Sequence, residues 1–122
     1  MTSKVVLLLE DEGLIAIDVE LTLSDEGYEV VTFATCSEAL IWLRANSPTI
    51  AILDFHLRDG ACNPVALLLT ERRIPFVVHS GDMLDAASHS DFAAGIWLSK
   101  PSSGGDMLVS ISKALGGIGS LA

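Results

Sequence analysis

The sequence predicts a doubly wound α/β protein with five parallel strands and helices on both faces of the sheet. Three observations point there. Five short apolar runs recur along the chain: Val5 to Leu9, Glu29 to Phe33, Ile50 to Leu53, Phe76 to Val78 and Ile96 to Leu98. Continuous apolar runs of this length, rich in Val and Ile, suit strands buried on both faces of a parallel sheet. The segments between them are long enough for the crossover helices that parallel neighbours need. Four of the five runs also end in polar residues, which places the chemistry at one end of the sheet.

The bulk properties agree. A chain of 122 residues suffices for one domain with a core. Half its residues are hydrophobic, as an ordered globular protein requires. Net charge is −9, from 16 acidic and 7 basic residues, which argues against direct contact with nucleic acid and for metal cations or basic partner surfaces. Val5 to Leu9 is far short of the roughly 20 apolar residues of a membrane span. It also lacks the cationic flank and cleavage site of a signal peptide. Cys36 and Cys62 are too far apart in sequence for a metal-binding pair, so both are expected to be small buried or semi-exposed thiols without redox work in a reduced, cytoplasmic chain. No repeat or interdomain linker is visible. One domain over 1–122 is expected.

The helices follow in order. From Ile15 to Leu23 apolar and polar residues alternate, which alone reads as a strand. The need for a crossover between the first two strands makes it a helix. Thr35 can cap a helix through Arg44, with Glu38 completing a capping box. Asn63-Pro64 opens the next through Arg72 in the same way, Pro64 at the first helical position. Met83 to Phe92 is a weakly patterned helix. Asp106 to Leu115 carries Met107, Leu108, Ile111 and Leu115 at helical spacing and stops at Gly116-Gly117.

The polar strand ends carry the functional argument. The first strand runs into Glu10-Asp11-Glu12, the third into Asp54, the fourth into His79-Ser80 and the fifth into Ser99-Lys100. Open parallel sheets bind ligands beyond the carboxyl ends of their strands, where strand order reverses. If the strand order is 2-1-3-4-5, as in known doubly wound sheets, the first and third strands flank that crevice, and Asp11 and Asp54 would converge with Ser80 and Lys100 beside them. Clustered carboxylates share a proton or hold a cation. All-oxygen donors favour a hard ion such as Mg²⁺. A carboxylate can also attack phosphorus and form an aspartyl-phosphate. Lys100 then offers a positive charge and Ser80 a hydroxyl to phosphoryl oxygens.

These motifs resemble those of the response-regulator receiver family over nearly the whole chain: Leu9-Glu10-Asp11-Glu12, Ile52-Leu53-Asp54, Ser80-Gly81 and Lys100-Pro101, each after its strand. The resemblance implies a single-domain phosphoswitch of two-component signalling that changes partner binding or acts as a phosphate sink. Asp54 would accept a phosphoryl group from a sensor histidine kinase or a histidine phosphotransfer protein. Glu10, Asp11, Asp54 and the backbone carbonyl of His56 would hold Mg²⁺. Ser80 and Lys100 would bind the phosphoryl group. Trp97 matches the aromatic switch, and His56 and Asp82 match positions that tune phosphate loss. A downstream protein would bind the face made by the fourth helix, fifth strand and fifth helix. The stretches Asp54 to Gly60, Pro64-Val65-Ala66 and Ile74-Pro75-Phe76 are similar to receivers of HWE-type kinases in the alphaproteobacterial general stress response. Val78-His79-Ser80-Gly81 departs from that subgroup's Phe-Ala-Thr-Gly. Ser80 replaces the commoner threonine, Gly81 leaves the pocket more open, Arg58 stands where proline is frequent, and Trp97 is bulkier than the usual Tyr or Phe.

Each residue also has a plainer explanation. Glu10-Asp11-Glu12 can stabilise a helix N-terminus, Asp54 can be a turn residue, His56 and His79 can be loop residues, and Trp97 can be core. Two other functions remain: an interaction domain with a vestigial acidic pocket, and a phosphate-ester hydrolase. The hydrolase is disfavoured because His56, not a second Asp, stands two residues after Asp54.

Overall fold

A computed structural model describes residues 4–81 and 90–116, the side chain of His56 excepted. The strands are β1 (Val5–Leu9), β2 (Glu29–Phe33), β3 (Ile50–Leu53), β4 (His56–Leu57), β5 (Gly60–Ala61), β6 (Phe76–Ser80) and β7 (Ile96–Ser99). The helices are α1 (Gly13–Asp25), α2 (Cys36–Leu43), α3 (Asn63–Glu71) and α4 (Gly104–Ala114). The main sheet is parallel, with order β2-β1-β3-β6-β7. This is the expected 2-1-3-4-5 order once the small antiparallel β4-β5 hairpin is set aside. The sequence had not signalled that hairpin, because two-residue strands carry no periodicity.

The continuous apolar runs follow from having a core on each side of the sheet. Leu7, Leu9, Ala51, Leu53, Phe76 and Val78 face α2 and α3. Val6, Leu8, Ile50, Ile52 and Val77 alternate with them and face α1 and α4. Among the described residues, no helix is long and apolar enough to cross a membrane.

α1 resolves the ambiguous segment. Its buried residues are Ala16, Val19 and Leu23, spaced as one helical face, while Leu14, Ile17 and Leu21 point outward. The apparent alternation is two apolar faces wound on one helix.

The helix starts depart from expectation in detail. Thr35 does cap α2, accepting from the Glu38 N–H at 3.2 Å, but its hydroxyl also donates to Glu38 Oε1 at 2.8 Å. A second cap comes from outside: Asp59, between β4 and β5, accepts the backbone N–H groups of Cys36 at 2.8 Å and Ser37 at 3.0 Å. α3 is not capped by Asn63. Cys62 holds the cap position without a side-chain bond, and the Asn63 amide donates to Asp91 instead, at 3.1 Å. Asn63 is thus the first helical residue and Pro64 the second, still within the turn where a missing N–H is harmless. α4 begins at Gly104, two residues before the expected Asp106, because Ser103 and Asp106 form a reciprocal capping box.

The expected helix from Met83 to Phe92 lies outside the described residues as far as position 89, and 90–92 form a single tight turn.

Candidate functional site

The site lies at the carboxyl ends of β1, β3, β6 and β7. Parallel pairing of Leu9 with Leu53 sets the first two ends side by side. The Asp54 N–H then donates to the Leu9 carbonyl at 3.0 Å, which fixes the end of β3 against the acidic turn. Glu10 is nearly fully buried, Asp54 is 9% exposed and Asp11 is half-buried. One oxygen from each of these three carboxylates lies within 4.8 Å of the others.

Lys100 supplies the opposing charge. Its Nζ lies 2.8 Å from Glu10 Oε1 and 3.0 Å from Asp54 Oδ2. Burial alone would lower its pKa, but the hydrogen bonds to Glu10 and Asp54 outweigh that and raise it. Glu10 moves up as well: burial disfavours its charge more than Lys100 and the Glu12 N–H favour it. The ammonium stays charged, as holding an anion requires.

The donor set fits a hard divalent cation. Its three side-chain donors are carboxylates, and clustered negative charge is what such an ion neutralises. His56, named for its backbone carbonyl, lies in β4 and pairs with Ala61, so it belongs to a strand rather than a loop.

Ser80 ends β6, buried, on the strand next to β3. Gly81 follows, exposed, and among the described residues nothing lies within 4 Å of where a Cβ would stand. Lys100 follows β7, its N–H donating to the Ser80 carbonyl at 3.0 Å. Trp97 lies half-buried in β7 and packs edge-on against Phe92 at 6.3 Å; Phe92 packs on Phe55 at 4.8 Å. An aromatic line thus runs from the residue after Asp54 to Trp97. Asp82 lies outside the described residues.

His79 corrects an expectation. It is a buried strand residue of β6, not a loop residue, and its Nε2 lies 2.9 Å from Ser102 Oγ. Burial, then the Lys100 charge, push its pKa down to about 4. The run of β-formers from Phe76 could have carried the strand through it, but a histidine interrupts an apolar pattern. Cys36 and Cys62 are free and buried as expected, and burial raises both thiols.

No family model matches the chain. It is 33% identical to SdrG from Sphingomonas melonis Fr1, whose solution structure aligns with a TM-score of 0.80 over 94% of this chain and 99% of that one. A CheY-like response regulator receiver domain protein from Methanospirillum hungatei JF-1, 23% identical, shares the fold with a TM-score of 0.84 over 99% of this chain and 100% of that chain. The transcriptional regulatory protein PdtaR of Mycobacterium tuberculosis is 32% identical over 117 residues, 90% of this chain and 56% of its own length. The chain therefore spans about half the length of the curated relatives it matches. It belongs to the response-regulator receiver family.

Proposed function

We propose that this domain, taken as one receiver over 1–122, is a phosphoacceptor switch of two-component signalling with Asp54 as acceptor. The observation that carries this is the Lys100 ammonium bridging Glu10 and Asp54, with Asp11 beside them. A nucleophilic carboxylate next to a fixed cation is what phosphoryl transfer to aspartate needs.

An Asp54 oxygen attacks the phosphorus of a phosphohistidine on a histidine kinase or phosphotransfer protein. The P–N bond breaks, and the imidazole leaves with the electron pair and regains its proton from water. Lys100 exchanges part of its contact with Asp54 for a phosphoryl oxygen, and the Ser80 hydroxyl donates to another. Glu10, Asp11, Asp54 and the carbonyl of His56 would hold Mg²⁺. That ion would supply charge neutralisation between the acidic site and the incoming phosphoryl group.

Movement of Ser80, paired with Ser99 on the strand that carries Trp97, would reach Trp97 through β7 and change a downstream protein's affinity for the β7 and α4 face. His56 and Asp82 would tune phosphate loss. The kinase would dock on α1, where Leu14, Ile17 and Leu21 are exposed and Leu14 lines the same cleft as Lys100. A cytoplasmic place and the HWE-kinase stress-response subgroup complete the reading, the latter on the sequence motifs given above.

Intact-mass analysis after acetyl phosphate and Mg²⁺ tests the core of this. Wild type should gain one phosphoryl adduct that needs Mg²⁺ and is absent from Asp54→Ala. Wild type that stays unmodified with acetyl phosphate and with several histidine kinases, and binds no Mg²⁺, would leave the interaction-domain function in its place.

A further inference from the structure

His79 is 4% exposed, immediately precedes Ser80 and pairs with Leu98 on the strand that leads to Lys100. Its ring lines a cleft of about 490 Å³ between α1 and the start of α4, shared with Leu14, Ile15, Lys100 and Met107. Two tethers flank Lys100. On one side is the backbone bond from the Lys100 N–H to the Ser80 carbonyl, 3.0 Å, which any sequence could make. On the other is the 2.9 Å contact between His79 Nε2 and Ser102 Oγ, which needs an imidazole at 79 and a hydroxyl at 102. The Ser103 capping box follows at once. The loop from Lys100 to Ser102 is therefore pinned at both ends.

The ring's other nitrogen identifies the tautomer. Nδ1 is buried with no hydrogen-bond partner among the described residues. An orphaned N–H is rarer in proteins than an under-satisfied acceptor. The neutral ring carrying its proton on Nε2, donating to Ser102, is the cheaper arrangement.

We propose that His79 is a positioning residue for the phosphoacceptor site: in its Nε2–H form it holds Ser102, and so fixes where the Lys100 ammonium meets Glu10 and Asp54. This rests on Asp54 being the phosphoacceptor. His79 touches no reacting atom; it acts through Lys100.

The test compares wild type with His79→Ala, Ser102→Ala, the double variant and His79→Gln, each first checked for a native amide spectrum. Loss of the tether should slow phosphorylation by acetyl phosphate about tenfold in either single variant. The double variant should be no slower than the singles, because both remove one interaction. His79→Gln should recover most of the rate, since its amide N–H reaches to the place of Nε2. The imidazole ¹⁵N spectrum of wild type should show the Nε2–H tautomer, and the Lys100 side-chain signals should shift in both single variants. Additive losses, a glutamine variant as slow as alanine, or a ring protonated on Nδ1 would overturn the proposal. If wild type takes no phosphate, the phosphoswitch falls, and the Lys100 signals decide separately: unshifted in both single variants, they end the positioning role too.

Discussion

At the acidic site one ammonium faces three carboxylates, and the balance is local. Removing Lys100 leaves Glu10, Asp11 and Asp54 repelling one another with little water to screen them. Lys100→Ala should lose about 1–3 kcal/mol of stability in urea unfolding without Mg²⁺. Millimolar Mg²⁺ should return part of that loss, and a variant as stable as wild type would show the ion pair to be idle. His79 makes a pH prediction. Its folded pKa, about 4, lies below the ordinary 6.5, so the unfolded chain binds the proton more readily. Its contribution is complete above pH 6.5 and is lost as pH falls through 4, on the order of 3 kcal/mol in all. Glu10, raised in the fold, works in the opposite direction. The contribution is therefore read as the stability difference between wild type and His79→Leu across that range. A difference that stays flat would mean that water reaches the ring.

At the scale of elements, α2 is held by two caps of different origin. Thr35 is local, and its loss to alanine should cost about 1 kcal/mol. Asp59 reaches two other N–H groups of the same turn, those of Cys36 and Ser37, from the β4-β5 hairpin, so Asp59→Ala should speed hydrogen exchange at Cys36 and Ser37 while leaving the far end of α2 protected. Unchanged exchange there would remove the hairpin from the capping of α2. The approach to β7 depends on Gly95, where an added Cβ would lie 2.5 Å from the Phe76 ring. Phe76 is fully buried and cannot swing aside, so Gly95→Ala should destabilise the protein by about 1–3 kcal/mol, measured as a shift in the urea midpoint.

Among the described residues, α1 leaves a row of apolar side chains exposed, starting at the cleft that holds Lys100. Leu14 is 86% exposed, with Ile17 and Leu21 along the same side of α1. Exposed apolar side chains in a row beside a site mark a docking surface more often than chance exposure does. If a kinase helix covers them, Leu14→Asp with Leu21→Asp should reduce phosphotransfer from the cognate kinase at least tenfold more than it reduces labelling by acetyl phosphate. Equal effects on both donors would place kinase docking elsewhere.

The five main strands, the burial of β1, β3 and β6 on both faces and the gathering of Glu10, Asp11, Asp54, Ser80 and Lys100 at one sheet end were legible in the sequence, whereas the edge strands β2 and β7 are only partly buried. Each rests on local pattern: apolar runs of strand length, polar residues at their ends and crossovers that parallel pairing demands. α1 was legible only through topology, since its residues serve an inner and an outer face at once. Three things were decided by tertiary structure alone. Asp59 caps a helix 22 residues away from its Ser37 partner, the β4-β5 hairpin forms without any periodic signal, and His79 meets Ser102 across 23 positions. The Asp59 and His79 bonds depend on polar groups that become neighbours only after the sheet has formed, whereas the hairpin is local but too short to carry a pattern. A hydrogen bond between distant residues leaves no trace in the spacing of either one.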